Sequence, residues 1–200
     1  TTGFGLAPVK TEGAAINFDS ETQGFTKRYT SVAYALGYIV SYEELRDNQY
    51  KDKSFKRAAQ LAFSMATTKQ TVAANVYNRA FDSNYTGGDG VELLSASHPT
   101  RSGNQSNIIA TAADLSEAAI EDVVIQIMQA KNDRGLQINL MPKSLIVAPS
   151  NYFEANRILM SVQQSGTANN DVNVLRANGV IPEGAKVNHY LTDADAWFIR

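Results

Sequence analysis

An α+β fold with an extended arm is predicted, and three observations predict it. The first 45 residues are punctuated by Gly and Pro and carry a period-two stretch at Val32, Tyr34, Leu36, Tyr38 and Val40. From about Lys53 to Phe81 the apolar residues fall near a 3.6 spacing. Beyond Asp114, helical and strand patterns follow each other in short segments.

Each element can be justified in order. GFGLAPVKTEG is a lead-in, AAINFD a short strand candidate and DSETQG a polar turn. With the alternating stretch that follows, they predict a long two-stranded arm. An isolated hairpin is marginal in water, so the arm needs a surface, either the body of the chain or a neighbouring subunit. The long helix has Asp52 as its expected N-cap and a stripe that includes Phe55, Ala58, Ala59, Ala62, Met65, Ala66, Ala73, Val76, Tyr77 and Ala80. At 1.5 Å per residue it spans roughly 40–45 Å. Thr67, Thr68, Thr71 and Val72 lower its propensity midway, where a bend is expected.

Residues 82–107 read as mostly irregular. A second helix is expected to start at Asp114, with Asp114 and Glu117 as a capping pair and Gly135 at its end. Its apolar face is Ile120, Val123, Val124, Ile127 and Met128. SLIVAP reads as a buried strand, and Ser150 as the cap of a third helix bearing Tyr152, Phe153, Ala155, Ile158 and Leu159. QQSGTANND is a polar loop, VNVLRANGVIPEG has strand and turn character, and AKVNHYL and AWFIR form a closing hairpin. The opening Thr1 and the stop at Arg200, in the middle of a strand pattern, are the marks expected of a processed or truncated product.

Composition narrows the function classes. The 200 residues hold 18 Lys and Arg against 20 Asp and Glu, a formal charge of −2. No polybasic patch favours specific nucleic-acid binding. With no cysteine, disulfides, thiolate catalysis and thiolate zinc sites are excluded. No apolar run approaches the ~20 residues that span a bilayer, and no signal peptide opens the chain.

The candidate chemistry is thin. Ser97 and His98 are adjacent, and neighbours in an extended segment point to opposite faces, so they are poorly placed as a nucleophile and base. No G-x-S-x-G elbow surrounds a serine. His98 and His189 lack metal-ligand spacing, and the Asp193–Asp195 turn reads as a water-facing acidic turn. The GFG and GGDG glycines lack the phosphate-loop frame and read as turn residues. Glu43, Glu44, Asp47 and Asp52 mingle with Arg46, Lys51, Lys53, Lys56 and Arg57, a solvated or interface patch. No catalytic, cofactor-binding or metal residue is assigned, and no cofactor is expected.

The strings DGVELLSASHP, SNIIATAADLSEAAIED, KNDRGLQINLMPKSLIVAPSNYFEANRILMS and VNHYLTDADAWFIR are similar to the tailed-phage major capsid proteins, in particular to the Mu-like prophage major head subunit family. The layout resembles the Hong Kong 97-type capsid fold. The resemblance implies an extension loop within residues 1–45, the spine helix of a peripheral domain at 46–83 and an axial domain at 84–200, with the 161–171 loop at the axial tip. The returning C-terminal peripheral segment of that fold is absent from this sequence.

The implied function is structural. Copies would form hexamers and pentamers of an icosahedral virion shell around double-stranded DNA, touching it without sequence specificity. Assembly would take place in the host cytoplasm, with scaffold, portal or decoration proteins as further partners and no membrane. Some relatives of the fold crosslink a Lys of the extension loop, and Lys10 and Lys27 lie in that region, but no local motif selects either. SASHP would join the spine to the axial domain. Two rivals stand beside this reading: an encapsulin-like compartment shell, and a hydrolase using His98 or His189 with a nearby Ser or Asp.

Overall fold

The computed structural model describes residues 2–47, 50–164 and 171–200. Most of the 161–171 loop, residues 165–170, lies outside the described residues. The chain is α+β as predicted and divides into two units, 28–77 and 1–27 with 78–200.

In the first unit the alternating stretch 28–40 is extended but forms no ladder among the described residues. Among the described residues, the one pairing within the predicted two-stranded arm is the antiparallel bridge between Thr2 and Thr22. Alternation marks a stretch suited to pairing, and no strand lies beside it here. Helix α1 (Tyr42–Arg46) follows, capped by Ser41, whose hydroxyl accepts from the Glu44 amide at 3.3 Å. The long helix α2 spans Tyr50–Asn78, about 43 Å by its rise. Asp52 thus sits inside it and is not its N-cap. Arg57 grips Glu44 with both terminal nitrogens, at 2.6 and 2.7 Å, and donates to the Ile39 carbonyl at 3.3 Å. That fork joins α1 to α2 and holds the Glu44 carboxyl below its usual range. Mid-helix, the hydroxyls of Thr68 and Thr71 return to the carbonyls of Ser64 and Thr67, each at 2.9 Å.

The second unit is built on a three-stranded sheet. The central strand β3 (Leu145–Val147) is buried throughout, as a continuous apolar run predicts. It pairs parallel with β4 (Ala185–Val187) and antiparallel with β5 (Trp197–Ile199). The expected β4–β5 hairpin is corrected: β3 lies between the two. A second, two-stranded sheet, β1 (His98–Thr100) with β2 (Gly103–Gln105), occupies part of the segment read as irregular.

Helix α3 (Glu117–Met128) is capped by Ser116, whose hydroxyl accepts from the Ala119 amide at 3.2 Å. The Asp114–Glu117 pair does not cap it, because Glu117 is already its first residue. Gly135 does not end it either, because the helix stops at Met128 and Gly135 sits in the later 131–137 turn at φ 81°. Ser150 donates to the Ala194 carbonyl at 2.7 Å and caps nothing. It lies in a 3₁₀ turn (Pro149–Asn151) that leads into α4 (Tyr152–Met160). VLRA, read as strand, is the short helix α5 (Val174–Ala177). The fully buried Asn173 makes it so: its side chain accepts from the Arg176 amide and donates to Ile158 and Ser161.

The core joins Ile120 and Val124 of α3, Leu145 and Val147 of β3, Ala155, Ile158 and Leu159 of α4, and Leu175 and Ile181. Asn78, the last residue of α2, belongs to this unit. Asn78 donates to the Tyr190 carbonyl and accepts from the Thr192 amide, and Phe81 stacks on Phe198 with centroids 6.3 Å apart.

Candidate functional site

The adjacent Ser97 and His98 do not form a reactive pair. The Ser97 hydroxyl accepts from the Asn104 amide at 2.6 Å, across the β1–β2 hairpin. The His98 Nδ1 lies 2.6 Å from Asp89 Oδ2. An ionised carboxylate can only accept, so the ring donates, and this bond holds the Asp89 carboxyl below its usual range. The opposite nitrogen, Nε2, is buried and has no hydrogen-bond partner among the described residues. A general base needs that nitrogen facing a hydroxyl, and here no hydroxyl bonds it. His189 is exposed. The described residues hold no cluster of three or more metal-ligating side chains, and none of their helices is long and apolar enough to cross a membrane.

What the His98–Asp89 bond does is structural. It fixes the Gly87-Gly88-Asp89-Gly90 loop against β1. A Cβ on Gly88 would come within 3.4 Å of the Phe25 Cβ, so glycine lets the extended segment pass closely over this loop. Residue types alone could not show the pair, because nine positions separate the partners and no motif links them. The glycine-flanked aspartate was its one signal.

The salient surface lies elsewhere. Apart from Thr2, Gly5 and Glu44, every described residue from 2 to 47 is exposed. Yet the segment is rich in large apolar side chains. Leu6, Val9 and Phe18 are 85%, 96% and 95% exposed, and Tyr29, Val32, Leu36 and Ile39 are also open. Monomeric soluble proteins rarely leave so much apolar surface in water. Burying one side chain of Leu or Phe size gains about 1.5–3 kcal/mol. Many such residues make a strong drive toward a covering surface.

Helix α2 repeats the theme within its own unit. Of the predicted stripe, Ala58, Ala59, Ala62, Ala66, Ala73 and Val76 are exposed, and so is Phe63. Tyr34, Met65, Ala66, Thr68, Lys69 and Val72 line a groove of about 440 Å³ on this helix.

The base of the arm, in contrast, is tied down. Thr2 and Thr22 form an antiparallel bridge, with their hydroxyls 2.8 Å apart. Arg134 donates to the Gly3 carbonyl at 2.9 Å, to both Asp19 oxygens at 2.6 Å and to the Ser20 carbonyl at 3.3 Å. Asp19 also accepts from the Gly5 and Ser20 amides at 2.9 and 2.8 Å. Those two amides, and then Arg134, lower its pKa from 3.8 to about 2. Arg101 adds a bond to the Thr22 hydroxyl at 2.8 Å. A groove of about 720 Å³ lies along this base, between residues 22–25, 99–101 and 132–134.

In a comparison with known families, residues 24–200 match the family described as "Phage capsid protein". No curated protein and no solved structure matches the chain.

Proposed function

The chain belongs to the phage capsid protein family, and from that premise we propose that it is the shell subunit of an icosahedral head with the Hong Kong 97-type fold, akin to the Mu-like head subunits. A capsid protein has a structural role, in the virion, and assembles with copies of itself. The finer reading is that copies form hexamers and pentamers, that the shell encloses double-stranded DNA, and that assembly takes place in the host cytoplasm. Scaffold, portal or decoration proteins would be the other partners. Residues 1–45 would serve as the extension loop, 46–83 as the spine of the peripheral domain and 84–200 as the axial domain.

One observation carries this reading. The segment from Gly3 to Tyr42 is nearly all exposed and densely apolar, while a separate core in the 78–200 region is already closed. Such a segment gains little from its own chain and much from a neighbour. Contacts of this head-to-tail kind repeat around rings and close into shells. A near-neutral chain suits loose contact with enclosed nucleic acid, which needs no sequence readout.

Electron microscopy of the full-length protein, expressed with its neighbouring head genes, tests the proposal. Closed particles with five- and six-fold clusters, filled with DNA after packaging, are the expected result. A protein that stays monomeric at high concentration overturns it. Particles that carry a protein cargo and never DNA would instead favour a compartment shell.

A further inference from the structure

We infer that Arg134 is the positioning residue of the arm: by holding both ends of the 3–19 loop it fixes where the apolar head leaves the body, and so sets how readily the chain engages a second copy. This inference rests on the assembly reading above.

The clasp is built from both sides. On the body side, Asn132 shapes the turn: its side-chain oxygen accepts from the Arg134 and Leu136 amides at 3.0 and 2.9 Å. Gly135 supplies the left-handed residue the turn requires. Asp133 ties the turn to the β1–β2 hairpin, accepting from the Arg101 amide at 3.2 Å through its carboxylate and from the Ser102 amide at 3.2 Å through its carbonyl. Arg134 therefore stands on a fixed base, with its side chain only 16% exposed. On the loop side it reaches three residues, Gly3 at one end and Asp19 and Ser20 at the other.

Between those ends the loop is free. Among the described residues, the stretch from Leu6 to Phe18 hydrogen-bonds only within itself, the Ala14 amide to the Thr11 carbonyl at 3.2 Å. Exposed Arg–Asp pairs are commonly worth little. This one differs because the Arg134 side chain is mostly covered and also serves two backbone carbonyls. It joins positions far apart in sequence and so removes freedom that binding would otherwise have to remove. Restricting an interface segment beforehand strengthens association without adding a contact.

The full-length protein allows a direct test. Lys10 is exposed within the loop, so trypsin cleavage there, followed by mass spectrometry, reports the loop's freedom. Light scattering against concentration reports particle formation. Arg134→Ala is expected to speed Lys10 cleavage roughly tenfold and to raise the concentration needed for particles by a similar factor, with core melting unchanged. Arg134→Lys, which keeps the charge but not the fork, should fall between. The cysteine-free chain permits a covalent rescue. Thr2→Cys with Thr22→Cys places sulfurs where hydroxyls now lie 2.8 Å apart. In the Arg134→Ala background the oxidised pair should restore slow cleavage and particle formation, and reductant should abolish both. Asp19→Ala removes both acceptor oxygens of the clasp from the loop side and replaces Arg134→Ala should that variant lose its core.

Equal cleavage and equal particle onset in wild type and Arg134→Ala overturn the inference while leaving assembly intact. So does a disulfide that slows cleavage but restores no particles. Wild-type protein that never forms particles overturns the assembly reading, and the Lys10 cleavage ratio then still decides whether Arg134 holds the loop.

Discussion

Asp19 carries the most perturbed carboxyl of the arm, and its sign can be worked through. A carboxyl held at about 2 against an ordinary 3.8 favours the clasped state above the higher value, and loses that contribution as pH falls through the lower. The Gly5 amide resonance, which reports the bond to Asp19, is therefore expected to titrate with a midpoint about 2. A midpoint near 3.8 would show that the bond does not form in solution. His98 makes a second case at this scale. Its replacement by Ala strands the mostly buried Asp89 carboxylate, so His98→Ala should cost about 1–2 kcal/mol in urea unfolding. Neither pair was legible in the sequence. Asp19 falls in a polar turn, and no motif links it to Arg134 or His98 to Asp89, because side-chain partners 9 or 115 positions away leave no local signature.

Among elements, α2 was the most legible, since 29 residues give periodicity room to show. Three-residue strands do not. β4 and β5 are neighbours in sequence, which favours a hairpin on local grounds, but the most apolar strand, β3, takes the place between them. Capping was misplaced by two residues, from Ser116 to Asp114, because both types suit the position. Ser116→Ala should accordingly destabilise the protein by about 1 kcal/mol and Asp114→Ala by much less. Equal losses in thermal melts would contradict the observed cap. Ile158, 2% exposed at the meeting of α4 with the core, should cost about 2–5 kcal/mol on truncation to Ala. A loss under 1 kcal/mol would mean that α4 is not packed as described.

For the whole molecule, the buried core and the exposed apolar segment are made of different residues. Val9→Asp with Phe18→Asp touches nothing buried, so the melting curve should stay in place, within the ~0.5 kcal/mol usual for surface changes, while particle formation is lost. Variants that still form particles at the wild-type concentration would remove the arm from the interface. The α+β class was legible, because helical and strand periodicities each leave their own record in the sequence. The absence of a ladder along 28–40 among the described residues was not, since alternation marks a face and not a pairing partner. The central place of β3 has one more consequence, for the order of synthesis. This strand finds its two neighbours only at 185–187 and 197–199. At about 5–20 residues per second, the apolar arm leaves the ribosome on the order of ten seconds or more before the sheet can close. Nascent chains on one message thus display this apolar segment ahead of finished bodies.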